Sequence, residues 1–113
     1  MKILVKLILF FCIFTQAASA ELVKPQAKLK PIEVLTIQLK SLKNNNMPYK
    51  DAGIEQTWEF AHPTNKRITG PLDKFKQMIY SESYEILIDH ESSEITVLQE
   101  TDNLSIYKVI ITS

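Results

Sequence analysis

The chain has 113 residues, of which 45% are hydrophobic, with 13 Lys plus Arg balanced by 13 Asp plus Glu. That is the size and balance of one ordinary globular domain. Two Gly, 23% charged residues and zero net charge exclude collagen-like and disordered chains and leave no basic surplus for nucleic acid.

The chain opens as an export signal. Met1-Lys2 and Lys6 are basic, residues 7–14 are an unbroken apolar run, and Ala18-Ser19-Ala20 supplies the small residues a signal peptidase needs. Cleavage is expected between Ala20 and Glu21, so contact with the membrane is transient. The competing reading is a retained anchor, but residues 3–20 are interrupted by Lys6 and Gln16 and are marginal for a hydrocarbon layer of roughly 30 Å. Cys12 lacks the flanking residues of a lipoprotein site and reads as apolar filler. Loss of Lys2, Lys6 and Cys12 leaves 11 basic against 13 acidic groups and no cysteine. No disulfide then holds the exported chain, and its stability comes from burial.

Residues 21–30, with Pro25 and three lysines, show no periodicity and read as a basic, flexible, partly extended linker to a domain over 31–113. Pro31 suits the first position of a helix. Ile32, Leu35, Leu39 and Leu42 follow at helical spacing, and Asn44-Asn45-Asn46 ends the element. A second helix is predicted over 51–61, with Asp51 as N-cap, Ile54, Trp58 and Ala61 on one face, and His62-Pro63 as its stop. Residues 63–69 read as a polar loop. A third helix starts at Gly70-Pro71, with Asp73 in its first turn and Leu72, Phe75, Met78 and Ile79 as its apolar stripe.

From Tyr84 the period changes. Residues 86–88 are a short apolar run, and residues 94–101 and 104–112 are β-rich, with Asp102-Asn103 marking a hairpin turn. A three-residue loop over 101–103 sets Ile95 opposite Val109 and Val97 opposite Tyr107, collecting Ile95, Val97, Tyr107, Val109 and Ile111 on one face. The fold class is therefore α+β, with three N-terminal helices packed on an antiparallel sheet. Residues 109–113 are apolar and β-branched, which leaves an exposed edge strand. Two readings follow: the sequence is a truncated form of a longer domain, or a partner pairs with this edge. Charge is also uneven, with ten basic and six acidic groups over 21–76 against one basic and seven acidic over 77–113. That polarity either orients a partner or dimer, or solvates the outer face of the sheet.

The stretch Asp51-Ala-Gly-Ile-Glu-Gln-Thr-Trp-Glu-Phe-Ala-His-Pro-Thr-Asn-Lys, followed by Thr69-Gly-Pro-Leu-Asp-Lys-Phe, is distinctive. With Gln38-Leu39 before it and Tyr84 after it, it resembles a family of small exported bacterial proteins, with relatives in plants and algae, catalogued as a domain of unknown function. The resemblance spans about residues 31–84. It implies a nuclear transport factor 2-like cone, in which N-terminal helices pack on a curved antiparallel sheet. Members of that family continue through further strands and a late Trp-rich segment that has no counterpart here, so the cone is expected to be incomplete. The superfamily includes isomerases, dehydratases, transport adaptors and dimerisation modules, so the fold does not settle a role.

His62 is the chief chemical candidate. It can act as a general base with Asp51 or Asp73 as acidic partner, or it can cap the last carbonyls of the helix before it. His90 lies in Asp89-His90-Glu91, whose side chains point in different directions on a strand or turn. Two histidines and no cysteine beyond Cys12 make no metal set, and neither metal nor cofactor is expected. No phosphate loop, dinucleotide fingerprint or G-x-S-x-G is present, and Asn103-Leu104-Ser105 reads as a turn rather than a glycosylation acceptor. Trp58, Phe60, Phe75, Met78 and Tyr84 either line a pocket for a small apolar ligand or fill the core. Two functions remain: a non-catalytic binding or dimerisation module of the cell envelope, periplasmic or secreted, meeting a protein partner or its own copy; or a small pocket enzyme of lyase or isomerase type with His62 as base.

Overall fold

The computed structural model describes residues 22–113. The export signal, its junction at Ala20 and Glu21, and Cys12 lie outside the described residues. Residues 22–30 are extended apart from a turn at Ala27 and Lys28, where the Leu29 N–H donates to Gln26 C=O (3.0 Å). They are docked rather than free. The buried carboxamide of Gln56 accepts from the Val23 N–H (2.7 Å) and donates to the Val23 C=O (2.8 Å), and Lys24 pairs with Glu59 at 3.2 Å. A buried amide needs both of its bonds met, and an extended backbone offers the matching donor and acceptor.

Helix α1 spans Pro31–Lys43 with Pro31 in its first turn, and it buries Leu39 and Leu42. Asn44 closes it: its backbone N–H and its Nδ2 both reach Lys40 C=O, at 3.2 and 3.1 Å. Asn45 does something else, being wholly buried. Helix α2 spans Ala52–Glu59 and buries Ile54 completely. Asp51 stands at its N-cap position in the left-handed region (φ 64°), yet its side chain caps nothing. The carboxylate turns to Asn45 and Tyr80 instead. The capping role expected of it is therefore wrong, because its carboxylate is engaged by a buried amide and a phenol.

The stretch expected as a polar loop is helix α3, Pro63–Thr69. Helix α2 ends at Glu59, two residues before the expected end, with Phe60 as its C-cap, and Pro63 opens α3. No residue of α3 is buried and its single aliphatic residue, Ile68, is 76% exposed, so there is no apolar stripe for periodicity to detect. Helix α4 spans Leu72–Ile79, one residue later than expected, with Pro71 as its extended N-cap. The apolar run at 86–88 forms no strand; it falls in a 3₁₀ turn, Glu85–Leu87, and the residue after it.

Strands β1 (Ser92–Glu100) and β2 (Ser105–Thr112) form one antiparallel hairpin. The expected register holds at Ile95↔Val109 and Val97↔Tyr107. Leu98 then bulges out, so Gln99 pairs with Ile106 and Glu100 with Ser105, and the loop has four residues, 101–104, instead of three. Among the described residues the fold is α+β, with four helices where three were expected. Leu42, Ile54, Phe75 and Ile79 form its core, flanked by Trp58, Leu72, Met78, Leu87 and Ile88. No strand residue belongs to this cluster. The helices pack on one another rather than across the sheet, and the hairpin joins them at its base, where Asp89 N–H donates to Leu42 C=O (2.9 Å).

Candidate functional site

The distinctive sequence block builds one corner of the helical unit. Trp58 on α2 sets its ring 5.0 Å from that of Phe75 on α4, and Lys66 of α3 places its ammonium 5.4 Å from the indole centroid. Gly70 makes this possible. A Cβ there would lie 2.6 Å from the Trp58 ring and 2.5 Å from Lys66 C=O, so only glycine lets the indole press on the α3–α4 junction. Trp, Lys, Gly and Phe are thus spaced to close one packing contact.

Below this corner a second set of residues holds the α1–α2 turn. Asn45 donates through Nδ2 to Asp51 (3.0 Å) and to the Tyr80 hydroxyl (3.2 Å), and its Oδ1 accepts from Ile54 N–H (3.0 Å). Tyr80 also donates to Asp51. Burial by itself raises the Asp51 pKa, but bonds from Tyr80 and Asn45 and the charges of Lys76 and Lys50 outweigh it and leave the carboxyl below its ordinary value. The bond to Asp51, together with burial and the Asp51 charge, raises Tyr80. Asp51 is therefore committed to structure.

On the far side of Phe75 lies a cleft of about 480 Å³. Phe60, Ala61, Phe75, Met78 and Tyr84 supply its apolar wall. Gln38, Thr57, His62, Asn65 and Thr69 supply polar groups. The cleft thus unites Phe60, Phe75 and Tyr84 with His62, but it leaves out Trp58, which backs Phe75, and both Asp51 and Asp73. Asp73 is exposed in the first turn of α4, where its charge suits the helix dipole.

His62 neither caps the helix before it nor sits free. It is the N-cap of α3, its Nδ1 accepting from Thr64 N–H at 3.1 Å. The neutral ring must therefore carry its proton on Nε2, and the lone pair a general base would use is already occupied. With no carboxylate lining the cleft, the dyad expected with Asp51 or Asp73 is not assembled.

His90 was expected among diverging polar side chains and is instead 2% exposed. Its Nδ1 donates to Leu87 C=O (2.7 Å), and its Nε2 has no partner among the described residues. Among those residues no three His, Cys, Asp or Glu side chains converge as a metal site would require. No helix there is long and apolar enough to cross a membrane. Sequence reasoning passed over Asn65 and Thr69 because it missed α3, the element that carries them. It also missed Asn45, since one asparagine in a run of three carries no mark of burial. Comparison with known proteins adds no family: no family model matches the chain, and no curated protein or solved structure matches it.

Proposed function

We propose that this chain is an exported, non-catalytic binding module of the cell envelope that forms dimers through its hairpin, on a nuclear transport factor 2-like plan. The resemblance over residues 31–84 supports the plan, and the sequence signal over 1–20 supports export. The observation that carries the binding role is the bareness of the hairpin. A two-stranded sheet is marginal alone, and here Val97, Leu98, Leu104, Ile106 and Ile110 are each between 41% and 61% exposed.

The two edges differ. Strand β1 carries Glu94, Glu100 and the Leu98 bulge, devices that discourage pairing. Strand β2 is rich in Ile and Val and has one charge, Lys108. A second copy pairing β2 against β2 makes a four-stranded sheet, satisfies the open backbone edge and sets new neighbours beside Ile106 and Ile110. Against the pocket-enzyme reading stand the engaged Nδ1 of His62 and the absence of a carboxylate from the cleft lining.

The test is the solution mass of the exported protein by light scattering. A dimer is expected, reduced to a folded monomer by Ile110→Lys on β2 and unchanged by Leu98→Lys on β1. A monomer at all concentrations overturns the reading. So does a chain extended through the next codons of its gene that supplies its own third strand and stays monomeric.

A further inference from the structure

The cleft beside Phe75 has a property its neighbours lack. Two other clefts on the surface include Lys40, one of them with Lys43 as well, whereas no Asp, Glu, Lys or Arg lines this one, in a chain of which those residues make up 23%. A charged ligand entering it would give up water and meet no counter-ion, the costly half of an ion pair without the compensating half. Electrostatics therefore selects a neutral occupant. Its volume of about 480 Å³ falls within the range of small-molecule sites.

The polar groups narrow the class further. Because Nδ1 of His62 is taken by Thr64, Nε2 carries a hydrogen and can donate. The Asn65 carboxamide has no partner among the described residues and offers a donor and an acceptor side by side. Gln38 makes only a long contact to Thr57 C=O (3.4 Å) through Nε2, and its oxygen takes no donor there. Phe60, Phe75 and Tyr84 supply ring surface, and Tyr84 is 43% exposed. Ring faces with amide-type donor–acceptor groups match a flat ring bearing an edge of the same kind.

We propose that the cleft lined by Phe60, Phe75, Tyr84, His62 and Asn65 binds an uncharged aromatic molecule bearing an amide-like donor–acceptor edge. The site is independent of the hairpin reading, since none of its residues lies on β1 or β2. Failure of dimerisation leaves it standing, and its own failure leaves the dimer standing.

The test uses the exported protein and three probes of one shape: benzamide, benzoate and benzamidine. The chain has a single tryptophan, whose ring is 5.0 Å from Phe75, so its indole N–H gives one NMR resonance close to the site. Benzamide should shift that resonance saturably, in the millimolar range suited to so small a ligand. Benzoate and benzamidine should each bind at least about tenfold more weakly, as uncompensated charges do. Asn65→Leu, at an exposed position without side-chain partners among the described residues, should leave the spectrum folded and weaken benzamide about fivefold or more. No saturable shift with benzamide overturns the proposal. Equal binding by either charged probe, or unchanged benzamide binding in Asn65→Leu, overturns it as well.

Discussion

Asn45→Ala is the substitution that asks most of this fold. Asn45 is 0% exposed and makes three side-chain bonds, two as donor to Asp51 and Tyr80 and one as acceptor from Ile54 N–H. Alanine leaves the Ile54 N–H unpaired at the start of α2, at a cost of about 1–3 kcal/mol. It also removes a donor from a buried carboxylate, worth about 1.5–3 kcal/mol, since hydrogen bonds to charged groups are the stronger ones. Water entering the gap recovers part of this, so the expected loss is about 3–5 kcal/mol, a large share of a domain stability of roughly 5–15 kcal/mol. Urea unfolding followed by far-ultraviolet circular dichroism reads it as a midpoint lowered by about 2 M or more. Asn45→Asp separates the two halves of the reasoning. It keeps an acceptor for Ile54 but loses both donors and sets a second carboxylate beside Asp51, so at pH 7 it should be at least as damaging as alanine. A loss below about 1 kcal/mol for alanine, or an aspartate clearly milder than alanine, would refute the view that this amide ties the α1–α2 turn to α4.

At the same junction Gly53 lies in the first turn of α2, and its Cβ, if present, would stand 2.0 Å from Ser41 C=O and 2.8 Å from Asn45 Cα. Both obstacles are backbone, so Gly53→Ala must separate α1 from α2 and should lower Tm by about 10–20 °C in calorimetry. Because the folded pKa of Asp51 is lowered, its contribution is complete above the ordinary aspartate value near pH 4 and is lost as pH falls through the folded value. Because that of Tyr80 is raised, its contribution is complete below about pH 10 and is lost above it as the unfolded chain ionises first. Tyr49 is raised too, by burial and by Glu55, so Tyr80→Phe should reduce the alkaline decline without abolishing it and blunt the acid one in urea midpoints measured across pH. Gln56→Ala releases Val23 from its two bonds and should cost only about 1 kcal/mol, while amide exchange at Val23 accelerates far more than exchange in α1.

What the sequence revealed depended on whether an element buries a stripe. Helices α1, α2 and α4 bury Leu39 and Leu42, Ile54, and Phe75 and Ile79 respectively, and each was legible from spacing. Helix α3 buries nothing; Pro63 and the His62 cap specify it, and both also read as signs of a chain leaving a helix. The hairpin register followed from alternation as far as Tyr107, because a one-residue slip there moves every apolar residue to the other face. Beyond it the Leu98 bulge costs one residue of register, and no residue type in Val-Leu-Gln announces a bulge. The run at 86–88 named no element for a related reason: three consecutive apolar residues fit a short strand or a turn packed on the core equally well, and Leu87 and Ile88 do pack there.

The sequence singled out Phe60, Phe75, Tyr84 and His62 as site candidates, which line the cleft, but not Gln38, Thr57, Asn65 or Thr69, nor the chemistry they make, and the reason lies in how the distinctive block divides its labour. Trp58, Lys66, Gly70 and Phe75 close the corner, Asp51 is held by Asn45 and Tyr80, and His62 starts α3. A pattern that looks catalytic, with a histidine, two aspartates and a ring of aromatics, is therefore mostly occupied in bringing four short helices together. Helices of seven and eight residues cannot hold themselves in water. Each needs a specific partner at its end, which is why so many unusual residues are concentrated at the joints. The consequence for any search for activity is specific. Alanine at Phe75 removes the wall itself and alanine at Asp51 or Trp58 removes what holds the helices behind it, so a loss of binding there carries no information about the ligand. Asn65 and Tyr84 border the same cleft from exposed positions with no side-chain partners among the described residues, so a change in binding confined to them reports on the ligand and not on the fold.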